Sequence, residues 1–333
     1  MRHNILKTIR VLLTSVSVMF IASYLYRNYH SIAITNYRYL FISMLIPCVV
    51  IPVIVNNRWK YFLSLNDVHE NVISLAKINF MAIFYGLVLP SSQGFDLIRI
   101  YMIEKRHPQK RGKVGSSVVL ERIIGMITLC IIACVAALVD PALIRGSLMI
   151  WVYALSLFVV ATLCFTLAPI SYRLMSSVIY YRTFKLKKLG EIIEYGRKLH
   201  ESLSLTASIV VFLKSFSLIL LFQVATIFNV YLVFLSMGLN VSLSVHLVLM
   251  PIVYMISVVP VTVSGIGVRE GVFAYLYGRI GVAPPQAVSA SLINYAILTL
   301  VPAFIGLVLA VLPSAPRLQM ASVKSSKSLN ESE

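Results

Sequence analysis

Apolar positions along this chain fall into long uninterrupted blocks, with none of the strict alternation of a half-buried strand. The blocks lie near residues 5–26, 38–55, 72–90, 118–139, 147–170, 207–235, 243–262 and 285–312, and a shorter half-apolar stretch covers 265–282. A helix crosses a bilayer with about 17–25 such residues, so the pattern predicts a chain of membrane helices. Polar segments between them, above all 104–117 and 171–206, predict loops or surface helices. Arg2, Lys7 and Arg10 precede the first block and no small-residue cleavage site follows it, so we read a retained first helix.

Composition supports this. Of 333 residues, 59% are hydrophobic and 12% charged, with a mean hydropathy of +0.88. Soluble domains carry roughly 25% charged residues, which excludes an ordinary globular fold and disorder alike. Lys and Arg number 29 against 12 Asp and Glu, a net charge of +17. Since the basic residues sit between apolar blocks, they report loops at an anionic inner leaflet, and no nucleic-acid partner is implied.

The charges also set the topology. Simple alternation from a cytoplasmic N-terminus would place Lys105, Arg106, Lys110, Arg111 and Lys113 outside, against the positive-inside rule. Making 72–104 a re-entrant hairpin that enters and leaves by the cytoplasmic face corrects this. Segment 171–206, with seven basic residues, then also becomes cytoplasmic, as an amphipathic helix on the inner leaflet. By the same logic 243–282 is a second hairpin opening outward, and Arg317, Lys324 and Lys327 return inside on a polar tail, 314–333. Arg27, Arg38, Arg145 and Arg279 stay outside as a small misfit. The predicted fold is an all-α polytopic membrane protein. It has six spanning helices plus two oppositely oriented re-entrant hairpins in an inverted repeat, one domain over 1–313, and both termini at the cytoplasmic side of the inner membrane.

A short repeat supports the arrangement. Pro90 is followed nine positions later by Arg99, with Gly94 between; Pro260 is followed nine positions later by Arg269, with Gly265 and Gly267 between. These prolines and glycines mark the hairpin breaks, and inverted repeats with broken helices place a transporter's site where the breaks meet.

Ionisable groups at membrane depth cost roughly 2.5–3.5 kcal/mol each on insertion scales and are functional candidates. Asp96 with Arg99, Glu121 with Arg122, and Arg269 with Glu270 make a balanced set of three acids and three bases. Asp96 and Arg99, at i,i+3, can pair on one helix face. Glycines ahead of Arg269 predict a half-helix N-terminus whose free N–H groups suit phosphate, and arginine binds phosphate oxygens bidentately. The plainer reading is that the six charges staple the hairpins to the bundle. Arg122 and Lys214 then snorkel to headgroups, and Glu121 orients an arginine. Asn79, Gln223, Asn229 and Asn294 read as interhelical hydrogen-bonding residues, and His246 as a headgroup-level histidine. Cys48, Cys130, Cys134 and Cys164 read as packing residues, and no metal site or cofactor is indicated. No catalytic triad or phosphate loop is present either.

Read together, Pro90, Gly94, Asp96, Arg99 and Tyr101, then Glu121-Arg122-Ile123-Ile124-Gly125, then Gly265-Ile266-Gly267-Val268-Arg269-Glu270 resemble a known family. It is the flippase-like membrane family typified by the transmembrane region of lysylphosphatidylglycerol synthase. Order and spacing match over roughly residues 5–312. The resemblance implies translocation of a charged lipid, an aminoacyl-phospholipid or a polyprenyl-phosphate-linked sugar, through a cavity formed by two re-entrant segments. Phe95 stands where a second small residue is usual, and Asn294 where an arginine is often found, which leaves the headgroup open. Because the chain ends at Glu333, we expect the membrane region without the synthase domain.

The expected partner is thus a membrane lipid with a phosphate headgroup, held by Arg99 and Arg269. Asp96, Glu121 and Glu270 would position those arginines, and Pro90, Gly94, Pro260, Gly265 and Gly267 would serve as backbone hinges. A homo-oligomer or a complex with envelope-biosynthesis enzymes is left open. The rival readings are a membrane glycosyl- or phosphotransferase, against which the short, acid-poor outer links weigh, and a scaffold in envelope polysaccharide assembly.

Overall fold

The structure is a computed structural model that describes residues 33–88, 94–110, 112–139, 209–258 and 266–311, with a few positions between 19 and 27. The expected spans at 5–26 and 147–170, the amphipathic segment 171–206, the tail 314–333, and Pro90, Pro260 and Gly265 lie outside these residues. Among the described residues all regular structure is helical. The helices are α1 (Tyr37–Ser64), α2 (Val72–Val88), α3 (Gly94–Arg106), α4 (Lys113–Val139), α5 (Ile209–Ser236), α6 (Leu243–Val258), α7 (Val268–Gly278) and α8 (Pro284–Val311). Among them α1, α4, α5 and α8 are long and apolar enough to cross a membrane, while α2 and α6 are apolar but shorter.

Local sequence explains most boundaries. The Asn36 side chain accepts the Arg38 N–H at 3.1 Å and caps α1. Pro284 and Pro285 open α8, where no N–H partner is required. Gly112, at φ +84°, turns the chain into α4. Inside α1 and α8 the helix widens to i→i−5 bonding: the Asn56 N–H reaches the Ile51 carbonyl, and the Val301 N–H reaches Ala296. Pro52 and Pro302, lacking N–H groups, sit in or beside these wide turns. Apolar content alone ends the first of these blocks at Val55. The helix runs on to Ser64 because Trp59, Phe62 and Leu63 are fully buried on one face.

Contacts between helix ends fix the topology. Glu70, just before α2, meets the end of α3 through Arg106 (3.3 Å) and His107 (3.1 Å). Near the break, a Cβ on Gly86 would come within 2.8 Å of the Phe95 nitrogen. So α2 and α3 form an antiparallel hairpin. Its open end lies beside the α1 C-terminus and the α4 N-terminus, where Asp67 faces Lys110 (3.7 Å) and Lys113 (3.8 Å). At the other end of the bundle, Thr35 and Asn36 donate their N–H groups to the Ser236 carbonyl at 2.8 and 3.0 Å. There too His246, early in α6, bonds the Tyr277 hydroxyl at the end of α7 (2.6 Å), so α6 and α7 form a second hairpin opening the opposite way.

That contact corrects the reading of His246 as a surface residue: it is fully buried in a cage of Tyr231, Phe234 and Tyr277 rings. The largest apolar cluster joins α4, α5, the second hairpin and α8, and another joins α1, the first hairpin and α8. Gly306 of α8 packs directly on α2: a Cβ there would fall 2.0 Å from the Phe80 carbonyl oxygen. Such small-residue crossings are how helices approach one another where the surrounding lipid is as apolar as the side chains.

Candidate functional site

Because α3 starts at Gly94, Asp96 falls in its first turn and Arg99 one turn later on the same face. The two pair at 2.8 Å. The neighbouring α4 carries Glu121 and Arg122, whose side chains leave the helix in different directions. Glu121 accepts from Arg99 at 3.1 Å and from Arg58 of α1 in a short contact. Arg122 turns back to Asp96, donating from Nε at 2.9 Å and Nη2 at 2.6 Å to one carboxylate oxygen. The five groups thus form one chain of alternating charge, Arg58–Glu121–Arg99–Asp96–Arg122.

Arg99, in the middle, is enclosed: its side chain is 1% exposed and lies between the rings of Trp59 (5.0 Å) and Phe95 (4.9 Å). The two ends open onto a cavity of about 410 Å³. Arg58 and Arg122 both line it, together with Glu121, Phe95 and Gly125. The wide turns of α1 and α8 contribute Val50, Ile51, Val55 and Leu298. Gln223 and Thr226 of α5 and Tyr254 and Ser257 of α6 supply a neutral polar wall. A volume in the ~300–1,000 Å³ range, mostly apolar walls and a few convergent polar groups are the features of a ligand pocket.

The second hairpin holds a smaller cluster. Gly267, at φ +93°, begins α7, and its N–H donates to Glu270 at 2.7 Å. Glu270 also takes the Arg269 guanidinium and the Ser291 hydroxyl (3.2 Å), and Arg269 lies over the Tyr295 ring at 4.2 Å. The carboxylate of Glu270 therefore sits where an anion at this helix N-terminus was expected. Arg99 reaches Glu121 and Arg269 reaches Ser291 across the same interval of 22 residues. Pro90 and Pro260, Arg99 and Arg269, and Glu121 and Ser291 are each 170 positions apart.

Comparison with known families decides what kind of chain carries this arrangement. The family of the lysylphosphatidylglycerol synthase transmembrane (TM) region matches residues 8–306. The chain belongs to this family. It is also similar to the UPF0104 membrane protein PH1989 of Pyrococcus horikoshii, at 27% identity over 298 residues, covering 81% of this chain and 85% of that one.

Within this family member, Asp96, Arg99, Glu121 and Arg122 come together in one network, while Arg269 and Glu270 form a separate one on the opposite hairpin. Neither Arg99 nor Arg269 is among the residues lining the cavity; Arg122 and Glu121 are. The expected interhelical amide bonds form between Asn229 and Asn294 (2.9 Å) and between Asn79 and Asn56. Lys214 lies over the Tyr61 ring at 4.5 Å. Cys130 is buried in the bundle. Sequence reasoning missed Arg58 and the Tyr254 wall. The available signal for Arg58 was the spacing of Trp59, Phe62 and Leu63, which carries the helix past the last apolar residue of its block.

Proposed function

We propose that this protein translocates a charged lipid across the cytoplasmic membrane, with the headgroup passing between the two hairpins. The carrying observation is the alternating chain Arg58–Glu121–Arg99–Asp96–Arg122 opening on a cavity between apolar helices. Membership of a lipid-related membrane family supports the reading. Further support comes from the helix lengths. The described parts of the hairpin arms have 17 and 13, and 16 and 11 residues, each below the ~20 that span a bilayer. We accordingly read them as re-entrant, one from each face, in a repeat of offset 170 with six spans around it. Pro90, Gly94, Pro260, Gly265 and Gly267 act as the hinges of the two breaks. The Lys113 end of the bundle, rich in Lys and Arg, faces the cytoplasm.

In this scheme Arg99 and Asp96 position the outer arginines, and the Arg269–Glu270 pair guards the opposite side of the path. The test is flipping of fluorescent phospholipids and a short-chain polyprenyl-phosphate sugar in proteoliposomes. Arg122→Gln and Arg269→Ala should each abolish movement while the protein elutes as a folded species. Wild-type rates in both variants would overturn the reading in favour of an enzyme or an assembly scaffold.

A further inference from the structure

Counting charge along the network separates two classes of lipid. Three guanidinium groups face two carboxylates, so the cluster carries one net positive charge. The second cluster, Arg269 with Glu270, is neutral. The surplus belongs to the network as a whole, in which Arg99 is enclosed with its Nε and Nη1 unpartnered, while Arg58 and Arg122 at the two ends are the arginines that line the cavity. Arg58 has a side chain 8% exposed, and its Nε has no hydrogen-bond partner. Arg122 is half open, at 47%. A buried cationic surplus is costly until an anion meets it. Across the cavity the Tyr254 hydroxyl is likewise buried, against Thr226 and near Ser257; the cavity-lining residues of that wall are uncharged, and the Arg269 guanidinium lies close enough behind it to act on Tyr254.

Resting on the translocase reading, we propose that the cavity selects a phosphodiester lipid with one net negative charge and an uncharged, hydroxyl-bearing headgroup. Arg58 and Arg122 hold the phosphate, and the Tyr254 wall takes the hydroxyls. A lipid whose headgroup carries added ammonium groups is disfavoured. Its phosphate would still suit the arginines, but its ammonium would meet a wall without a free carboxylate in a site already one charge positive.

The test is equilibrium binding to the full-length protein in nanodiscs of a neutral lipid. The probes are phosphatidylglycerol, lysyl-phosphatidylglycerol, a short-chain sugar-linked polyprenyl phosphate and inorganic phosphate. The anionic probes with uncharged headgroups should bind at least roughly tenfold tighter than the lysyl lipid. Arg58→Gln should weaken them by roughly tenfold to a hundredfold, and Arg58→Lys by less. Whichever anionic lipid binds tighter names the source of the phosphodiester. Thermal unfolding of each variant checks folding, and Tyr254→Phe gives a second arm that should weaken phosphatidylglycerol and the sugar-linked probe while leaving inorganic phosphate unchanged. Equal or tighter binding of the lysyl lipid overturns the proposal, as does unchanged binding in Arg58→Gln or full competition by inorganic phosphate. Because binding is read apart from flipping, a lysyl lipid that both binds tighter and flips would sink this proposal and leave the translocase standing. Selective anion binding without any flipping would do the reverse.

Discussion

Glu121 and Arg58 form one ion pair, yet the charge inventory predicts unequal consequences for removing either partner. Glu121 is the shared acceptor of Arg58 and Arg99. In Glu121→Gln three arginines face Asp96 alone, and the buried cluster rises from one to two net positive charges. Removing one partner from a buried pair costs about 3–5 kcal/mol. In Arg58→Met the cluster falls to zero net charge, two arginines against two carboxylates. The methionine retains apolar contact with Phe222, over which the guanidinium lies at 4.4 Å. Glu121 keeps Arg99 at 3.1 Å, so no carboxylate is left unpaired and the loss should be well below that of Glu121→Gln.

At about 2 °C per kcal/mol for a chain of this size, Glu121→Gln should lower the melting temperature by roughly 6–10 °C. Arg58→Met should lower it by less than about 2 °C. The double variant restores the wild-type net charge and should recover more than half of the Glu121→Gln loss, a non-additivity expected of directly contacting residues. Thermal unfolding in detergent followed by intrinsic fluorescence measures all three. If Arg58→Met is as damaging as Glu121→Gln, the surplus charge does not exist in the folded protein. The proposed headgroup selection then fails with it.

Other consequences are structural. Gly306→Val should displace α8 from α2, since even a Cβ would meet the Phe80 carbonyl at 2.0 Å. A loss of about 1–3 kcal/mol or more, read as reduced monodisperse yield and a lower melting temperature, is expected. Tyr277→Phe leaves His246 without its hydroxyl partner in an aromatic cage and should cost about 1–3 kcal/mol in the same assay. Asn294→Ala strips Asn229 of its partner and should cost about 1 kcal/mol, with Asn229→Leu in the double variant recovering part of it.

The four long apolar helices, the shorter apolar ones and six charged residues among them were legible in the sequence because the bilayer imposes them. Spanning blocks must be long and apolar, and a charge inside one stands out against its surroundings. The sequence also carried the pairing of Asp96 with Arg99, because helical spacing dictates it. What it did not carry were contacts between helices distant in sequence. Gly306 on Phe80 and His246 on Tyr277 are such contacts, decided by which faces meet.

Arg58 shows why this matters for function. In Asn56-Asn57-Arg58-Trp59-Lys60 it follows the last apolar residue of its block and reads as a basic group emerging into a loop. Yet α1 continues two more turns, and the widened turn at 50–55, where the Asn56 N–H reaches back to Ile51, precedes it directly. A wide turn inserts an extra residue into the helix and so rotates everything after it relative to an uninterrupted 3.6-residue period. A face drawn on the sequence from Tyr37 onward therefore misassigns Arg58, which instead enters the bundle opposite Glu121. Six charges that balance on paper leave out this seventh, and with it the imbalance on which the proposed selectivity rests. The same slip recurs at 296–300 in α8, so in both helices residues beyond the wide turn are the ones a periodic reading places on the wrong side.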